Sequence, residues 1–349
     1  MLPALPARVW DSRLPRTPQM LTAEVERYAV TLRFTQPGRF HFNHGGALMG
    51  LLCRALATHE LHAGVAPFAS ESGRVRFAPG EAYRFGLSLA GRASTGFRAE
   101  EFRAALARIG ARPPDPNRPP PTLGGNFEVV SVEPCPPPAP ADEIAKLAAA
   151  RTVTLRLLSP LRVERPAPLK RKGAGYLNAE CFPLSHFTRR LVKRLFLLAR
   201  ERFPEDGEIE DLLPSLGAAH EPVMTDVRLL WLDIPLEGPP GKRPAQGYTL
   251  GGGVGRVVFR EVPESWLPHI VAGQDTHAGE KTHYGLGRYL VEECRAVGED
   301  VFRPARTLYE ELSDAARLET AFAHVVTHST AAGVDSRAPS DCADEAEVT

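Results

Sequence analysis

The sequence lacks the features that mark several common classes of protein. Its five cysteines are odd in number, widely spaced and without a C-x-x-C pair, so neither a disulfide framework nor a zinc site is expected. No stretch reaches about 18 uninterrupted apolar residues, and the amino terminus carries no apolar signal-peptide core. We therefore expect a cytoplasmic protein that has no membrane span and binds no metal.

An excess of positive charge is also missing. The 349 residues include 42 basic and 42 acidic side chains, whereas a typical nucleic-acid-binding domain is strongly basic. Any site for a polyanion must then be a local basic patch. The length of the chain suits about two domains. Because 43% of the residues are apolar, each domain can have an ordinary hydrophobic core.

The first half follows one order of elements. Tyr28, Val30, Leu32 and Phe34 lie on one side of a period-two pattern, which predicts a half-buried strand. A helix is predicted from Ala47 to Leu61, followed by two strands around Pro79-Gly80, a helix that ends at Gly110, and a strand over 125–134. This β-α-β-β-α-β order is typical of a ferredoxin-like fold.

The second half repeats the order with a strand that includes Val153, Leu155 and Leu157, a helix over about 182–202, two strands, a short helix over 264–271 and a last strand after Lys281. We therefore predict an α+β protein of two tandem ferredoxin-like, RRM-like domains with a helical C-terminal extension. The predicted boundaries are an N-terminal tail at 1–22, domains at 23–135 and 150–295, a proline-rich linker at 136–149, and the extension with a disordered tail at 296–349.

Two glycine-rich runs, at 249–256 and 281–289, place glycine beside basic residues near strand ends. The first lacks the lysine and hydroxyl residue of a Walker loop, and the second has Leu290 where G-x-G-x-x-G would need its third glycine, so neither is a nucleotide-binding fingerprint. An unrelated nucleotide-dependent enzyme is therefore the weaker hypothesis. Backbone N–H groups at such positions can meet phosphates, and the alternative is a pair of bulges or tight turns.

The residues around these runs carry a family resemblance. Gly252-Gly-Val-Gly-Arg-Val-Val-Phe, Trp266-Leu-Pro and His277-x-Gly-x-Lys-x-x-x-Gly-Leu-Gly-Arg-Tyr resemble, in this order, the carboxy-terminal signature of CRISPR-associated RAMP endoribonucleases, which process precursor crRNA. The resemblance covers roughly residues 24–290. It implies two RAMP domains, CRISPR repeat RNA as the partner, no cofactor, and contact between the glycine-rich residues and the RNA. The implied RNA-binding residues are Gly252, Gly253, Gly255, Arg256, Lys281, His283, Gly285, Gly287 and Arg288.

A basic cluster begins at Arg162 and continues on the predicted helix as Arg189, Arg190, Lys193 and Arg194. A charged helix face is usually only solvated. Beside the glycine-rich runs it becomes a candidate track for phosphates, and we add Arg189, Arg190 and Lys193 to the RNA-binding set. Contacts of this kind supply salt-dependent affinity rather than sequence choice.

The chemistry implied by the resemblance uses the RNA 2′-hydroxyl as nucleophile, leaves 2′,3′-cyclic phosphate and 5′-hydroxyl ends, and requires proton transfer but no metal. Histidine suits the proton steps. The family commonly keeps its general base on or just after the first helix, which makes His62 the first candidate, with His44 and His59 as alternatives. Each is also consistent with a helix cap or a surface histidine. No lysine lies near this helix, so Arg54 or another arginine would stabilise the transition state.

Residues 308–335 resemble the short helical entry of a group II intron-like reverse transcriptase, as in fusions of this endoribonuclease with a reverse transcriptase and the CRISPR integrase. The alternative is an ordinary helical extension with an acidic tail. The resemblance implies effector subunits, or a reverse transcriptase and integrase, as further partners. Two other functions stay open: a RAMP scaffold that binds repeat RNA without cutting it, and an RNA-binding module of a spacer-acquisition system.

Overall fold

The computed structural model describes residues 25–41, 43–58, 63–113, 122–170, 175–200, 204–205, 207–209, 221–235, 249–295, 301–304, 306–307 and 309–311. Within these ranges the chain forms two four-stranded antiparallel sheets, a two-stranded ribbon and the helices that cover the sheets. The predicted α+β class is confirmed. Among the helices described, none is both long and apolar enough to cross a membrane.

The first sheet comes from residues 26–134. Its elements in chain order are β1 (Glu26–Phe34), β2 (Gly38–Arg39), α1 (Gly45–Ala55), β3 (Val65–Phe68), β4 (Arg76–Phe77), β5 (Ala82–Leu89), α2 (Ala99–Ala111) and β6 (Phe127–Pro134). The sheet order is β3-β5-β1-β6, and β2 pairs with β4 in the separate ribbon. Val30, Leu32 and Phe34 lie in the core, as their period-two spacing predicts.

The second sheet comes from residues 152–291. Its elements are β7 (Thr152–Leu161), α4 (Leu184–Arg200), β8 (Val223–Pro235), β9 (Thr249–Arg260), α5 (Leu267–Thr276) and β10 (Tyr289–Val291), and α3 (Pro140–Ala150) precedes them. The sheet order is β10-β7-β9-β8. Val153, Leu155 and Leu157 of β7 are buried together in its core, which confirms the predicted strand, and the intervening Thr154 and Arg156 are buried as well.

The segment between the sheets differs from the expectation. Residues 136–149 were predicted to form an extended proline-rich linker, but α3 begins at Pro140 and continues to Ala150. Proline is tolerated in the first turn of a helix because the N–H that it lacks would have no partner there. Leu147 packs in the second core and the Glu143 carboxylate is 1% exposed, so α3 is part of the folded body.

A buried network of charges joins the two halves. The Asp275 carboxylate of α5 accepts hydrogen bonds from Arg27 of β1 and from Arg295, both at 2.7 Å. Arg295 also donates to both carboxylate oxygens of Glu143, at 2.5 and 2.9 Å. Although burial opposes ionisation, the surrounding guanidinium groups hold the pKa of Asp275 well below its usual range. Removal of one partner would leave an uncompensated buried charge.

Residues after β10 lie across both sheets. The ring of Phe302 is fully buried, and a Cβ atom at Gly86 of β5 would come within 2.7 Å of it. Tyr309 packs with Ile234 and Val254 of the second sheet. The rest of the segment that resembles a reverse transcriptase entry, Leu308 and residues 312–335, lies outside the described residues.

Candidate functional site

A cavity of about 510 Å³ opens where the loop between α5 and β10 meets α4. Four segments of the chain line it: Arg162–Glu164 after β7, one face of α4, the loop residues 279–283, and Ala63 immediately before β3. The cavity therefore contains residues from both halves of the chain, and Ala63 is its contribution from the first half.

Basic side chains dominate the lining. They are Arg162, Arg190, Lys193, Arg194, Lys281 and His283, against the carboxylates of Glu164 and Glu280. Glu280 pairs with Arg162 at 3.2 Å, and Glu164 lies 3.7 Å from Arg190. Cations outnumber carboxylates in this one place although the whole chain is neutral. Such a cavity suits a polyanion or a phosphate group.

The loop that supplies Lys281 and His283 has an unusual backbone. His277, Gly279, Lys281, Gly285 and Gly287 all have φ between 58° and 79°. A Cβ atom at Gly279 would lie 2.3 Å from the Arg162 carbonyl oxygen, and one at Gly287 would lie 1.7 Å from the Ala278 carbonyl oxygen. These two positions therefore require glycine, both for φ and for close packing. Strained loops of this kind cluster at functional sites.

The same loop rests on the first half of the chain. A Cβ atom at Gly45, the first residue of α1, would lie 1.9 Å from the Tyr284 carbonyl oxygen, and one at Gly285 would lie 2.8 Å from that of Pro67 in β3. Thus Gly45 allows the loop to approach α1, and the position of Lys281 and His283 depends on both halves.

Arg194 connects the halves at the cavity itself. Its Nε donates to the Thr276 carbonyl at 2.9 Å, and its Nη2 donates to the Ala63 carbonyl at 3.0 Å. Burial lowers the pKa of this guanidinium to about 10, so it is still a cation at neutral pH. Arg194 thereby fixes the residue that follows His62 in the sequence.

Four of the predicted RNA-binding residues come together in the cavity: Arg190, Lys193, Lys281 and His283. Burial, Lys281 and Arg194 lower the pKa of His283, which favours a neutral imidazole at physiological pH. Arg189 is partly buried on α4 and is not among the lining residues. Gly285 and Gly287 shape the loop from within rather than line its surface.

The structure corrects the expectation for Arg288. Its side chain is 0% exposed, its Nη2 donates to the Phe302 carbonyl at 3.1 Å, and its Nη1 lies 3.7 Å from Asp275. Burial lowers the pKa of this guanidinium to about 9. A guanidinium without exposed surface cannot meet an RNA phosphate in this conformation, so Arg288 joins the buried charge network instead.

The first glycine-rich run lies within a strand, as its place in the predicted element order implies. Gly252, Gly253 and Gly255 belong to β9, which pairs with β8 on one side and with β7 on the other, and their contact with RNA stays a prediction. Arg256 is partly exposed and pairs with Glu292 at 2.9 Å and with Asp226 at 3.7 Å. Glycine is required at 252 because a Cβ atom there would lie 2.8 Å from Pro160.

The candidate catalytic histidines have different outcomes. His59 and His62 lie outside the described residues. His44 is 0% exposed, and its ring nitrogens bond to the Tyr83 hydroxyl at 3.2 Å and the Arg74 carbonyl at 2.9 Å. Burial lowers the pKa of His44 to about 4. The catalytic expectation for His44 is corrected, because an RNA hydroxyl cannot reach a side chain enclosed in the first core.

Arg54, the expected transition-state residue, donates from Nη2 to the Leu123 carbonyl and thus holds the loop before β6. Sequence reasoning did not find the bridging role of Arg194, because its contact with Ala63 spans 131 positions. The signal present in the sequence was only its place on a basic helix.

Within the described ranges, no group of three or more His, Cys, Asp or Glu side chains could hold a metal ion.

No protein-family model and no curated protein matches this sequence. Among solved structures, a partial Cas6-RT-Cas1–Cas2 complex matches with a TM-score of 0.54 and 16% identity over 76% of this chain and 45% of that chain. A Cas6-RT-Cas1–Cas2 complex matches with the same score and identity over 28% of its chain. The chain shares its fold with part of these proteins.

The chain spans less than half the length of either matched protein. The likeness agrees with the resemblance of the sequence to RAMP endoribonucleases, and at 16% identity it concerns the fold alone. A Cas6 product complex also matches, with a TM-score of 0.46 and 15% identity over 77% of this chain and 99% of that chain. A score below 0.5 does not establish a common fold.

Proposed function

We propose that the chain consists of two ferredoxin-like RAMP domains and binds CRISPR repeat RNA in the basic cavity between them. The strand orders support the domain assignment. Only the strands of the two four-stranded sheets are counted here, in chain order and without the β2–β4 ribbon. In each sheet the first of these strands lies between the third and the fourth, and the second lies outside the third. With a helix after the first and after the third, this order agrees with the β-α-β-β-α-β order of the ferredoxin-like fold.

The observation that carries the proposal is the convergence of basic residues from α4 and from the glycine-rich loop on one cavity. Lys193 and Lys281 are long, flexible cations that can follow a phosphate backbone along the open side of the cavity. Phosphate contacts of this kind position an RNA strand without reading its sequence.

We further propose that the chain cleaves the bound RNA. The 2′-oxygen attacks the adjacent phosphorus, the bond from phosphorus to the 5′-oxygen breaks, and the products are a 2′,3′-cyclic phosphate and a 5′-hydroxyl. One group must take the 2′-hydroxyl proton and another must protonate the leaving oxygen. We assign these steps to His62, which precedes Ala63 in the sequence, and to His283 in the cavity lining. The basic residues would stabilise charge on the phosphorane.

The test is incubation of the purified chain with end-labelled repeat RNA from its own genomic array, beside a shuffled RNA of equal length. Cleavage at one position, with a cyclic phosphate on the upstream product, supports the enzyme. Replacement of the attacking 2′-hydroxyl by hydrogen should abolish cleavage and spare binding. Tight, selective binding without cleavage would favour the non-catalytic scaffold, and equal binding to the shuffled RNA would contradict both functions.

A second candidate function is RNA binding within a spacer-acquisition system that contains a reverse transcriptase and an integrase. The fold likeness to chains of Cas6-RT-Cas1–Cas2 complexes favours it. The test is co-purification of the tagged chain with the reverse transcriptase, Cas1 and Cas2 of the same genome, with and without ribonuclease treatment.

A further inference from the structure

A pair of aromatic rings borders the basic cavity beside Arg162. The ring centroids of Tyr176 and Trp231 lie 5.8 Å apart, with an angle of 32° between the ring planes. The Arg162 guanidinium lies over the Tyr176 ring, 4.0 Å from its centroid, and donates to the Tyr176 hydroxyl. Because Arg162 also lines the cavity, the aromatic pair and the cavity are adjacent.

Trp231 reaches this position through the alternation of β8. Val227 and Leu229, four and two residues earlier, pack against the second core. Side chains of a strand point to the same face at every second residue, so Trp231 continues that face beyond the core. It is only partly buried, whereas Trp266 of the same half is 0% exposed. A large ring therefore keeps accessible surface at the end of the core.

The indole ring is held in place by its surroundings. Its Nε1 donates to the Asp233 carboxylate at 2.9 Å. On the paired strand, a Cβ atom at Gly251 would lie 2.7 Å from the indole, so glycine allows the ring to lie against the backbone. The Gly251 carbonyl in turn accepts a hydrogen bond from Arg162 at 3.3 Å. A ring fixed before binding loses little conformational freedom when a ligand stacks on it.

We propose that Tyr176 and Trp231 form a stacking subsite for one unpaired nucleobase of the RNA whose backbone lies in the cavity. The subsite rests on the proposed RNA-binding function. Unpaired bases of RNA stack on aromatic side chains, and cations beside the rings hold the neighbouring phosphates. Arg162 lies between the two kinds of contact, so a nucleotide can place its phosphate in the cavity and its base on the rings.

The alternative is a purely structural role, in which Tyr176 and Trp231 only stabilise the end of the β8–β9 strand pair. The two roles differ in what they predict for RNA. A supporting cluster affects the stability of the fold and weakens all RNA binding to the same degree. A stacking subsite makes the affinity depend on one particular base, and that dependence disappears when the ring is removed.

The experiment measures dissociation constants for repeat RNA and for a series of the same RNA with a single abasic nucleotide at each position. Where the parent cleaves, a 2′-deoxy nucleotide at the mapped cleavage site prevents turnover. The proteins are the full chain, Trp231→Leu, Trp231→Phe and Met224→Ala. Met224 is the matched control because it is an exposed apolar residue at the start of the same strand, 37% exposed.

With the parent chain, removal of the stacked base should weaken binding by about 5- to 150-fold, the range for one base on an aromatic side chain. Trp231→Leu should bind intact RNA correspondingly less tightly and show no further loss at that abasic position. Trp231→Phe should retain most of the dependence, and Met224→Ala should behave as the parent does.

Two results would overturn the subsite. In the first, Trp231→Leu binds intact RNA as tightly as the parent does. In the second, each abasic nucleotide lowers the affinity of Trp231→Leu by the same factor as it lowers the affinity of the parent. If the parent prefers repeat RNA to a shuffled RNA in the same experiment, either result removes the subsite and leaves the proposed function standing. A parent without that preference would overturn the proposed function and the subsite together.

Discussion

His44 should make the folded chain less stable as the pH falls below neutrality. Burial lowers its pKa to about 4 from an ordinary value of 6.5. Between these two values the unfolded chain binds a proton at this histidine and the folded chain does not. The stabilising contribution is therefore complete above pH 6.5 and is lost as the pH falls towards 4. From pH 7 to pH 5 the loss works out at about 2 kcal/mol in the free energy of unfolding.

The perturbation that isolates this effect is His44→Gln. The glutamine amide can still donate to the Arg74 carbonyl and accept from the Tyr83 hydroxyl, as the two ring nitrogens of His44 do, but it does not titrate. Urea unfolding of the parent and the variant at pH 7 and pH 5 gives the four free energies required. The fall between the two pH values should be smaller in His44→Gln by about 2 kcal/mol.

Val30→Ala is the matched control, because it removes methyl groups from the same core and no titrating group. Its fall between pH 7 and pH 5 should equal that of the parent. If the free energy of unfolding falls equally in the parent and in His44→Gln, protonation of His44 is not the cause of the fall. Because His44 is enclosed, we also expect His44→Gln to cleave repeat RNA at close to the parent rate, and a hundredfold loss would return His44 to the catalytic candidates.

Further predictions concern the cavity and the buried charges. Lys193→Ala with Lys281→Ala should weaken repeat-RNA binding and reduce the slope of log affinity against log salt by about 1.4, because about 0.7 of a counterion is released per phosphate contact on a single strand; an unchanged slope would contradict the phosphate track. His62→Ala or His283→Ala should slow single-turnover cleavage by on the order of a hundredfold with little change in binding, and parent rates in both would remove the acid–base assignment. Asp275→Asn should lower the free energy of unfolding by about 3–5 kcal/mol in urea titrations, because it removes the one negative charge shared by the buried arginines, and a change below about 1 kcal/mol would contradict that account.

Local pattern was sufficient for most of the sheets and helices. The alternation at Val30, Leu32 and Phe34, and again at Val153, Leu155 and Leu157, predicts strands whose apolar faces are buried in the structure. The convergence of Lys193, Lys281 and His283 was expected only through the family resemblance, because no local rule relates positions so far apart in the chain.

The failures have tertiary causes. The prolines before residue 140 predict a spacer where the structure has α3. The helix is held in place by the bond between its Glu143 and Arg295, which lie 152 positions apart in the chain. The sequence does not show that Arg288 is buried. In the structure Arg288 contacts the Phe302 carbonyl and lies near Asp275, which makes it part of the buried charge network and not of an RNA-binding surface. The role of Gly252 does not follow from the sequence either, because glycine permits both tight turns and close strand packing, and the approach of Pro160 distinguishes them.

One cleavage time course tests the proposed reaction directly, with an end-labelled transcript that contains two copies of the cognate repeat. We expect one cut at the same position in each repeat, products with 2′,3′-cyclic phosphate ends, and an unchanged rate when EDTA is added. The same transcript with both repeats shuffled should stay intact. No selective cut, or a cut that EDTA abolishes and magnesium restores, would contradict the proposed reaction.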